Sequence, residues 1–485
     1  MKENKIHSVK YNFIMNFILT SSQFLFPLIT FPYISQVLQP AGNGKIAFVA
    51  SVANYFMMIA SLGIPTYGIR ACAQVRDDRE KLSKTVKEIY LINLVMTIFV
   101  IVVYIVSVFT IPRFQVEKEL FFIYGINILL NMFGMNWVFQ ALEQYAYITF
   151  RSIIFKIIAI ILMFMFVHEY NDYVIYAAIT VFAAVGSNVL NYIRLHRYID
   201  FKVKGNYEIK KHIIPILILF TQSLVVSIYT NLDTVMLGFM KTDVDVGYYN
   251  VAVKLKAILL SFVTSLGNVL LPRMTYYINQ KMFDDFKKTM LKAINFTVLL
   301  SVPLVLYFVI YSKETVFFLA GTGYAGAIIA MKLITIAVIP NGVTGVLGVQ
   351  VLTALEKEKY VLCSVVVGAV VDFVLNICFI PTYGATGAAG ATMVAEFVVL
   401  IVQIYYTRDL LVPLIKQFRI HIYLFLSILA GVLSYFVKYL KIESYFFALL
   451  ISVIVFFGIY GVGLIICKEE SIIELISSVK KLVRK

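Results

Sequence analysis

Of the ionisable residues inside long hydrophobic runs of this sequence, four are where chemistry would be found: Asp233 in SIYTNLDTVMLGF, Lys254, Asp372 and Glu396. A charge held at such depth is costly, so it lines a cavity or pairs with another charge. The turn after the run holding Asp233 centres near Asp243 and Val244, about ten residues from Asp233 and about ten from Lys254. At about 1.5 Å per residue the two sit at equal depth on adjacent antiparallel helices. Lys254 shares a helix face with Ser261, Ser265 and Asn268, whereas Lys256 projects from nearly the opposite side. Lys254 is therefore the expected partner of Asp233. Two roles fit: a fixed ion pair that registers the hairpin, or a lysine shared between Asp233 and an anionic ligand. Asp372 shares a face with Asn376, and Glu396 shares one with Thr392 and Gln403. Either acid is a candidate carrier of a coupling proton, and either can instead neutralise a nearby lysine. Asp233, Asp372 and Glu396 are thus the candidate coupling residues.

Further polar residues complete the candidate binding set. Gln23 and Thr30 belong to a stripe (Asn12, Asn16, Thr20, Gln23, Pro27, Thr30) that stays on one face of the first hydrophobic segment. Asn231 neighbours Asp233 on a segment striped by Ser223, Ser227, Thr230 and Thr234. A polar stripe in lipid marks a helix seam or a wet cavity. Arg70, Arg151 and Lys156 fall at segment ends, where they either meet a phosphate or follow the topology rule for basic residues. Lys332 lies close to a segment end and snorkels. No catalytic set emerges, and there is no phosphate-binding GxxxxGK[ST] loop. The four cysteines (Cys72, Cys363, Cys378, Cys467) have no metal spacing, so no metal and no cofactor is expected beyond H+ or Na+ as a coupling ion. The five histidines fall at segment ends, which argues against a histidine relay at membrane depth.

These residues must be positioned by membrane helices. Of the 485 residues, 61% are hydrophobic and 14% charged, with a mean hydropathy of +0.87; soluble domains are nearer 45–50% and about 25%. Counting about 20 apolar residues per span predicts an all-α polytopic membrane protein of about fourteen transmembrane helices. Basic residues then set the topology. With the N-terminus inside, the inner flanks hold 32 Lys and Arg and the outer flanks seven, so both termini are expected in the cytoplasm. The net charge of +15 is a topology signal, and no nucleic-acid partner is implied. No cleavable signal peptide is visible at the N-terminus. No loop exceeds about twenty residues, too short to hide a nucleotide-binding domain, and a transporter is favoured over an enzyme.

An internal repeat organises the spans. Shifted by 203 residues, GNGKIAFVASVANY (Gly42 to Tyr55) falls on DVGYYNVAVKLKAI (Asp245 to Ile258), with Gly44 over Gly247. Both copies run in the same direction, as parallel transporter repeats do. The predicted architecture is two pseudo-symmetric six-helix bundles, 1–211 and 212–410, plus a C-terminal hairpin, 411–485, with a basic cytoplasmic tail. The hairpin spans carry charge only near their ends, which suits packing or a groove for a lipid tail.

Several stretches resemble the polysaccharide-biosynthesis flippases of the multidrug/oligosaccharidyl-lipid/polysaccharide exporter superfamily, the Wzx-type repeat-unit transporters. They are TFPYISQVLQPAGNGKIAF (Thr30 to Phe48), SLGIPTYGIRACAQVRDDREKLS (Ser61 to Ser83), NWVFQALEQYAYITFRSIIFKI (Asn136 to Ile157), NLDTVMLGF with VGYYNVAVKL (Asn231 to Leu255), and FIPTYGATGAAGATMVAE (Phe379 to Glu396). The resemblance implies a flippase of the bacterial cytoplasmic membrane. Its substrate would be an undecaprenyl-pyrophosphate-linked oligosaccharide for a capsule, exopolysaccharide, O-antigen or teichoic-type polymer, moved outward by alternating access. It implies membrane lipids, and glycosyltransferases and a polymerase of the same pathway, as partners. Rival readings are a drug or organic-cation exporter of the same superfamily and a non-transporting scaffold of a glycan synthesis complex. Where such proteins often read VLGPxGxG, Gln39 stands in place of the first glycine, and Asp372 occupies a position expected to be neutral.

Overall fold

A computed structural model describes residues 8–203, 207–264, 267–440 and 442–469. Ser265, the basic residues at 1–7, Lys204, Lys441 and the tail at 470–485 lie outside the described residues. Among those described there is helix and no strand, and twelve helices are long and apolar enough to cross a membrane. The protein is thus a multi-pass helical membrane protein. Two of the twelve candidates, Tyr11–Ala73 and Glu358–Gln417, run to 63 and 60 residues, far more than the ~20 that one crossing needs. Both are broken, and the first also changes helix at Leu62 (φ 49°). Helix α1 (Val9–Ser61) breaks at Gln39 (φ 55°, ψ 177°), and a second long helix, Glu358–Leu411, breaks at Gly384 (φ 54°, ψ −130°). The limbs on either side of each break are long enough to span by themselves. The first and second expected spans, and the eleventh and twelfth, thus fall in one broken candidate each, because the polar turn between them in sequence shrinks to one non-helical residue.

Gln39 holds a backbone conformation that is otherwise almost confined to glycine, at the position where the resemblance leads one to expect glycine. Its Cβ is strained there, and its amide Nε2 donates to Gln36 O at 2.6 Å, partly offsetting the cost. Gln39→Gly is expected to raise stability by about 1 kcal/mol, read as a higher unfolding midpoint of the detergent-solubilised protein. An unchanged or lower midpoint would show that the side chain contributes more than its strain costs.

The described residues divide into two compact units, Met1–Gly247 and Tyr248–Lys485. In the first, α1 is followed by α2 (Ile64–Ala73) and α3 (Arg79–Thr110). The N-cap of α3 is Asp78, which accepts from the N–H of Glu80 at 3.0 Å and of Lys81 at 3.1 Å. The Lys81 N–H leads in holding this exposed carboxyl below its usual range. Helix α4 (Tyr145–Phe166) and helix α5 (Lys210–Met240) both pack on α1. The seventh span, α5, therefore sits with the first six, although the sequence repeat starts its second copy near residue 212.

The contact between α1 and the turn into α6 (Asp243–Thr264) explains why. A Cβ on Gly44 would fall 1.7 Å from Asp243 O, and a Cβ on Gly247 would fall 2.0 Å from Pro40 O. Shifting by 203 carries Pro40 onto Asp243 and Gly44 onto Gly247, so the two contacts are exchanged by the internal repeat. The repeat read from weak identity thus has a structural counterpart, a self-complementary backbone contact of two-fold character. Arg113 pairs with Asp243 at the same turn and donates to Gly238 O at 2.8 Å.

In the second unit, α7 (Phe283–Ile310) is the post to which the terminal hairpin, α8 (Ile420–Tyr435) and α9 (Tyr445–Ile466), is fastened. Tyr307 Oη shares a hydrogen with Ser452 Oγ at 2.8 Å, and Tyr460 Oη donates to Leu299 O at 2.8 Å. Arg419 and Tyr423 converge on the Glu469 carboxylate at 2.9 and 3.0 Å. The hairpin is apolar by composition yet tied by tyrosines, whose rings bury area while their hydroxyls find partners. An apolar groove of about 340 Å³ remains on its flank, lined by Leu306, Ile310, Ile428, Val432, Tyr435 and Tyr439.

Candidate functional site

In the first unit the polar residues of α1 and α5 largely satisfy themselves. Thr30 Oγ1 donates to Phe26 O at 3.0 Å, Thr230 Oγ1 to Val226 O at 3.0 Å, and Asn231 Nδ2 to Ser227 O at 3.1 Å. A hydroxyl bonded back to its own helix can still accept a bond from a ligand, so the stripes need no helix seam to be stable. Gln23, Ser223 and Thr230 are exposed. Only 6% of the apolar window of α5 is buried, the smallest share among the twelve spans. Asp233, by contrast, is buried, at 5% exposure.

The basic residues of this unit part company. Arg70 is exposed at the end of α2, its guanidinium 5.7 Å from the Tyr67 ring. Lys156 reaches from α4 to α1, donating to Ser22 Oγ at 2.9 Å. Arg151 is buried, donating to Ser187 O at 3.3 Å and Asn136 Oδ1 at 3.0 Å, while Asn191 Nδ2 donates to the same Asn136 oxygen at 2.9 Å. Neutral carbonyls hold this arginine. Of the three, Arg70 alone presents its charge openly, and Arg151 is placed to join elements.

Sequence reasoning missed a second cluster. His212, 2% exposed, bridges Tyr67 Oη at Nδ1 (2.7 Å) and Glu88 Oε2 at Nε2 (2.8 Å). Glu88 also accepts from the Glu208 N–H at 2.8 Å and pairs with Lys211 at 3.3 Å. This cluster ties the start of α5 to α2 and α3. No spacing could reveal it, since its members come from separate helices.

In the second unit Lys254 and Ser261 lie half-buried on one face of α6, with Ser261 Oγ donating to Ile258 O at 2.6 Å. Asn268 falls among residues whose side chains are not described. Asp372 and Asn376 are fully buried on the long helix Glu358–Leu411. Glu396, further along that helix, accepts from Lys256 Nζ at 2.9 Å and from Asn341 Nδ2 at 2.5 Å. One turn before it, Thr392 Oγ1 meets Tyr249 Oη at 3.0 Å. The acid candidate on the twelfth span is therefore neutralised by Lys256, the lysine on the other side of α6 from Lys254. Asp233 belongs to the first unit and Lys254 to the second.

The first unit offers exposed hydroxyls on α5; the second offers a lysine and neutral polar groups on α6 and an apolar groove beside the terminal hairpin.

Residues 9–278 match the family described as "Polysaccharide biosynthesis protein", and residues 218–378 match the family "MatE". A "Putative O-antigen transporter" of Escherichia coli (strain K12) is 20% identical over 413 residues, covering 84% of this chain and 99% of the relative. Among solved structures, "Lipid II flippase MurJ, inward closed conformation" superposes with a TM-score of 0.74 at 16% identity over 95% of this chain and 100% of its own. An inward-facing multidrug resistance MATE family transporter of the MOP superfamily gives 0.58 at 12% identity, over 80% of this chain and 98% of its own.

Proposed function

The chain belongs to the family of polysaccharide biosynthesis proteins, and on that premise we propose that it is a flippase for a lipid-linked oligosaccharide. The substrate is an undecaprenyl-pyrophosphate-linked repeat unit. It crosses the bacterial cytoplasmic membrane by alternating access, with both termini of the protein in the cytoplasm and no chemistry performed on the cargo. The relative from Escherichia coli is named for O-antigen transport, which supports a glycan cargo. The observation that carries the reading is the terminal hairpin: it is fastened to α7 and flanked by an apolar groove of about 340 Å³, which suits a polyprenyl tail. A drug exporter needs no groove for a polyprenyl tail. The MatE match, confined to residues 218–378, favours the exporter as the second reading. That reading calls for an acidic cavity, and Lys256 already neutralises Glu396.

Lys254 is the residue proposed to meet the pyrophosphate. Its headgroup interaction is a charge-assisted hydrogen bond, about twice as strong as a neutral one. Lys254→Ala is expected to cut export at least tenfold, with lipid-linked oligosaccharide accumulating on the inner leaflet while protein levels hold. Normal export in that variant would remove Lys254 from the mechanism. Asp233 is proposed as its counter-charge, and the coupling ion as H+ or Na+ acting at Asp233 or Asp372. Exchanging the two residues, Asp233→Lys with Lys254→Asp, should restore folding lost in either single variant; continued misfolding would argue against pairing.

A further inference from the structure

In the second unit a cavity of about 180 Å³ lies between the end of α6, α7 and the segment Gly342 to Gln350. Its polar lining is neutral: Thr264, Thr297 and Gln350. Gln350 is 4% exposed, and its Oε1 is shielded from solvent with no hydrogen-bond partner among the described residues. An acceptor left so costs about 1–3 kcal/mol, which is hard to retain unless something donates to it. The residue also sits in an eight-residue π-helix, Gly345–Leu352. Such segments are rare and concentrate at functional sites. Glycines at 342 and 345 open the space: a Cβ at Gly342 would come 2.7 Å from Val263 and 3.0 Å from Thr297.

The cavity adjoins the face of α6 to which the pyrophosphate is assigned. Thr264 follows Ser261 by three residues, and residues so spaced are neighbours on a helix surface. Val349, which also lines it, is 53% exposed, so the cavity opens to the surface. Thr264 Oγ1 donates to Leu260 O at 2.9 Å, leaving its lone pairs to accept. With no acid or base in the lining, an ion gains nothing here. An amide and a hydroxyl in the lining of a small neutral cavity suit a hydroxyl or an amide N–H. The volume corresponds to about six waters at ~30 Å³ each, enough for one sugar ring and too small for an oligosaccharide.

We infer that this cavity is a sugar subsite, in which Gln350 Oε1 and Thr264 Oγ1 accept hydrogen bonds from one residue of the transported glycan. The inference rests on the flippase reading and adds a determinant of glycan selectivity to it. The test uses the full-length protein in detergent and two probes. One is the lipid-linked oligosaccharide extracted from membranes of the cell that carries this gene; the other is bare undecaprenyl pyrophosphate. Gln350→Met, which keeps the shape and removes the acceptor, should weaken binding of the glycan-bearing lipid about tenfold and leave the bare carrier unchanged. Thr264→Val should act in the same direction to a smaller extent, and its hydroxyl is not needed for folding because it bonds only its own helix. Unaltered affinity for the glycan-bearing lipid, or equal weakening toward both lipids, would overturn the subsite and leave the cavity to water. Should Gln350→Met fail to fold, Thr264→Val decides: an undiminished preference for the glycan-bearing lipid overturns the inference. Native protein that binds neither lipid would instead refute the flippase reading, and the subsite with it.

Discussion

Alanine at Gly44 or at Gly247 is expected to destabilise the protein by at least about 3 kcal/mol. Overpacking a well-filled site commonly costs about 1–3 kcal/mol, and that range assumes neighbours able to rotate away. Here the obstacles are the carbonyls of Asp243 and Pro40, at 1.7 and 2.0 Å from the added Cβ, and a backbone oxygen has no rotamer to escape into. The break at Gln39 in α1 and the turn into α6 would have to separate. The ion pair of Arg113 with Asp243 and the bond from Arg113 to Gly238 O would be strained with them. Because both glycines serve one contact, the double variant should cost clearly less than the sum of the singles. Thermal unfolding in detergent and yield after membrane extraction measure this. Native-like stability of either single variant would mean that the close approach is not a feature of the folded protein.

Loss of one member of the Lys256–Glu396 pair is the second large effect. The side chains are 15% and 3% exposed, with the nitrogen 2.9 Å from the carboxylate. Removing one partner from a buried pair costs about 3–5 kcal/mol, chiefly because the other charge is left unpaired. Lys256→Met or Glu396→Gln alone should therefore lower stability by about that amount. The double variant should recover most of it, since Gln at 396 keeps an oxygen for the Asn341 amide, now 2.5 Å from Glu396. The same cycle separates the two roles considered for Glu396. A structural acid predicts near-normal export from the double variant. A proton carrier predicts that export stays lost however stable the double variant is.

Much of the architecture could be read in advance because it depends on composition and period. Each apolar run is long enough to satisfy its own backbone in lipid only as a helix, so helix positions follow from local sequence. The register of 203 residues between repeats was also readable, and it brings Pro40, Gly44, Asp243 and Gly247 into their exchanged contacts. Gln39 marked the break in α1 as a departure from glycine, although the departure did not tell that the residue would adopt the strained backbone instead of moving the break. The expected count of fourteen spans differs from twelve helices for the same reason: polarity locates a turn, while one residue's dihedrals decide whether a helix ends there.

The sequence by itself determined that this is a helical membrane protein with a repeated hairpin, and it singled out Asp233, Lys254, Asp372 and Glu396 among the charges inside its apolar runs. Only the tertiary structure decided which of them are joined. Lys254 and Lys256 are two residues apart and project from nearly opposite sides of α6. The acid that meets Lys256 is 140 residues away, and the histidine that meets Glu88 is 124 away. Such pairings depend on the rotation and depth of helices against one another, which side-chain packing between distant segments sets and no periodicity within a single segment encodes. Gln350 follows the same rule. Its sequence neighbours mark it as one more residue of an apolar run, and the packing of α6 and α7 around it places it, nearly fully buried, in the lining of a cavity.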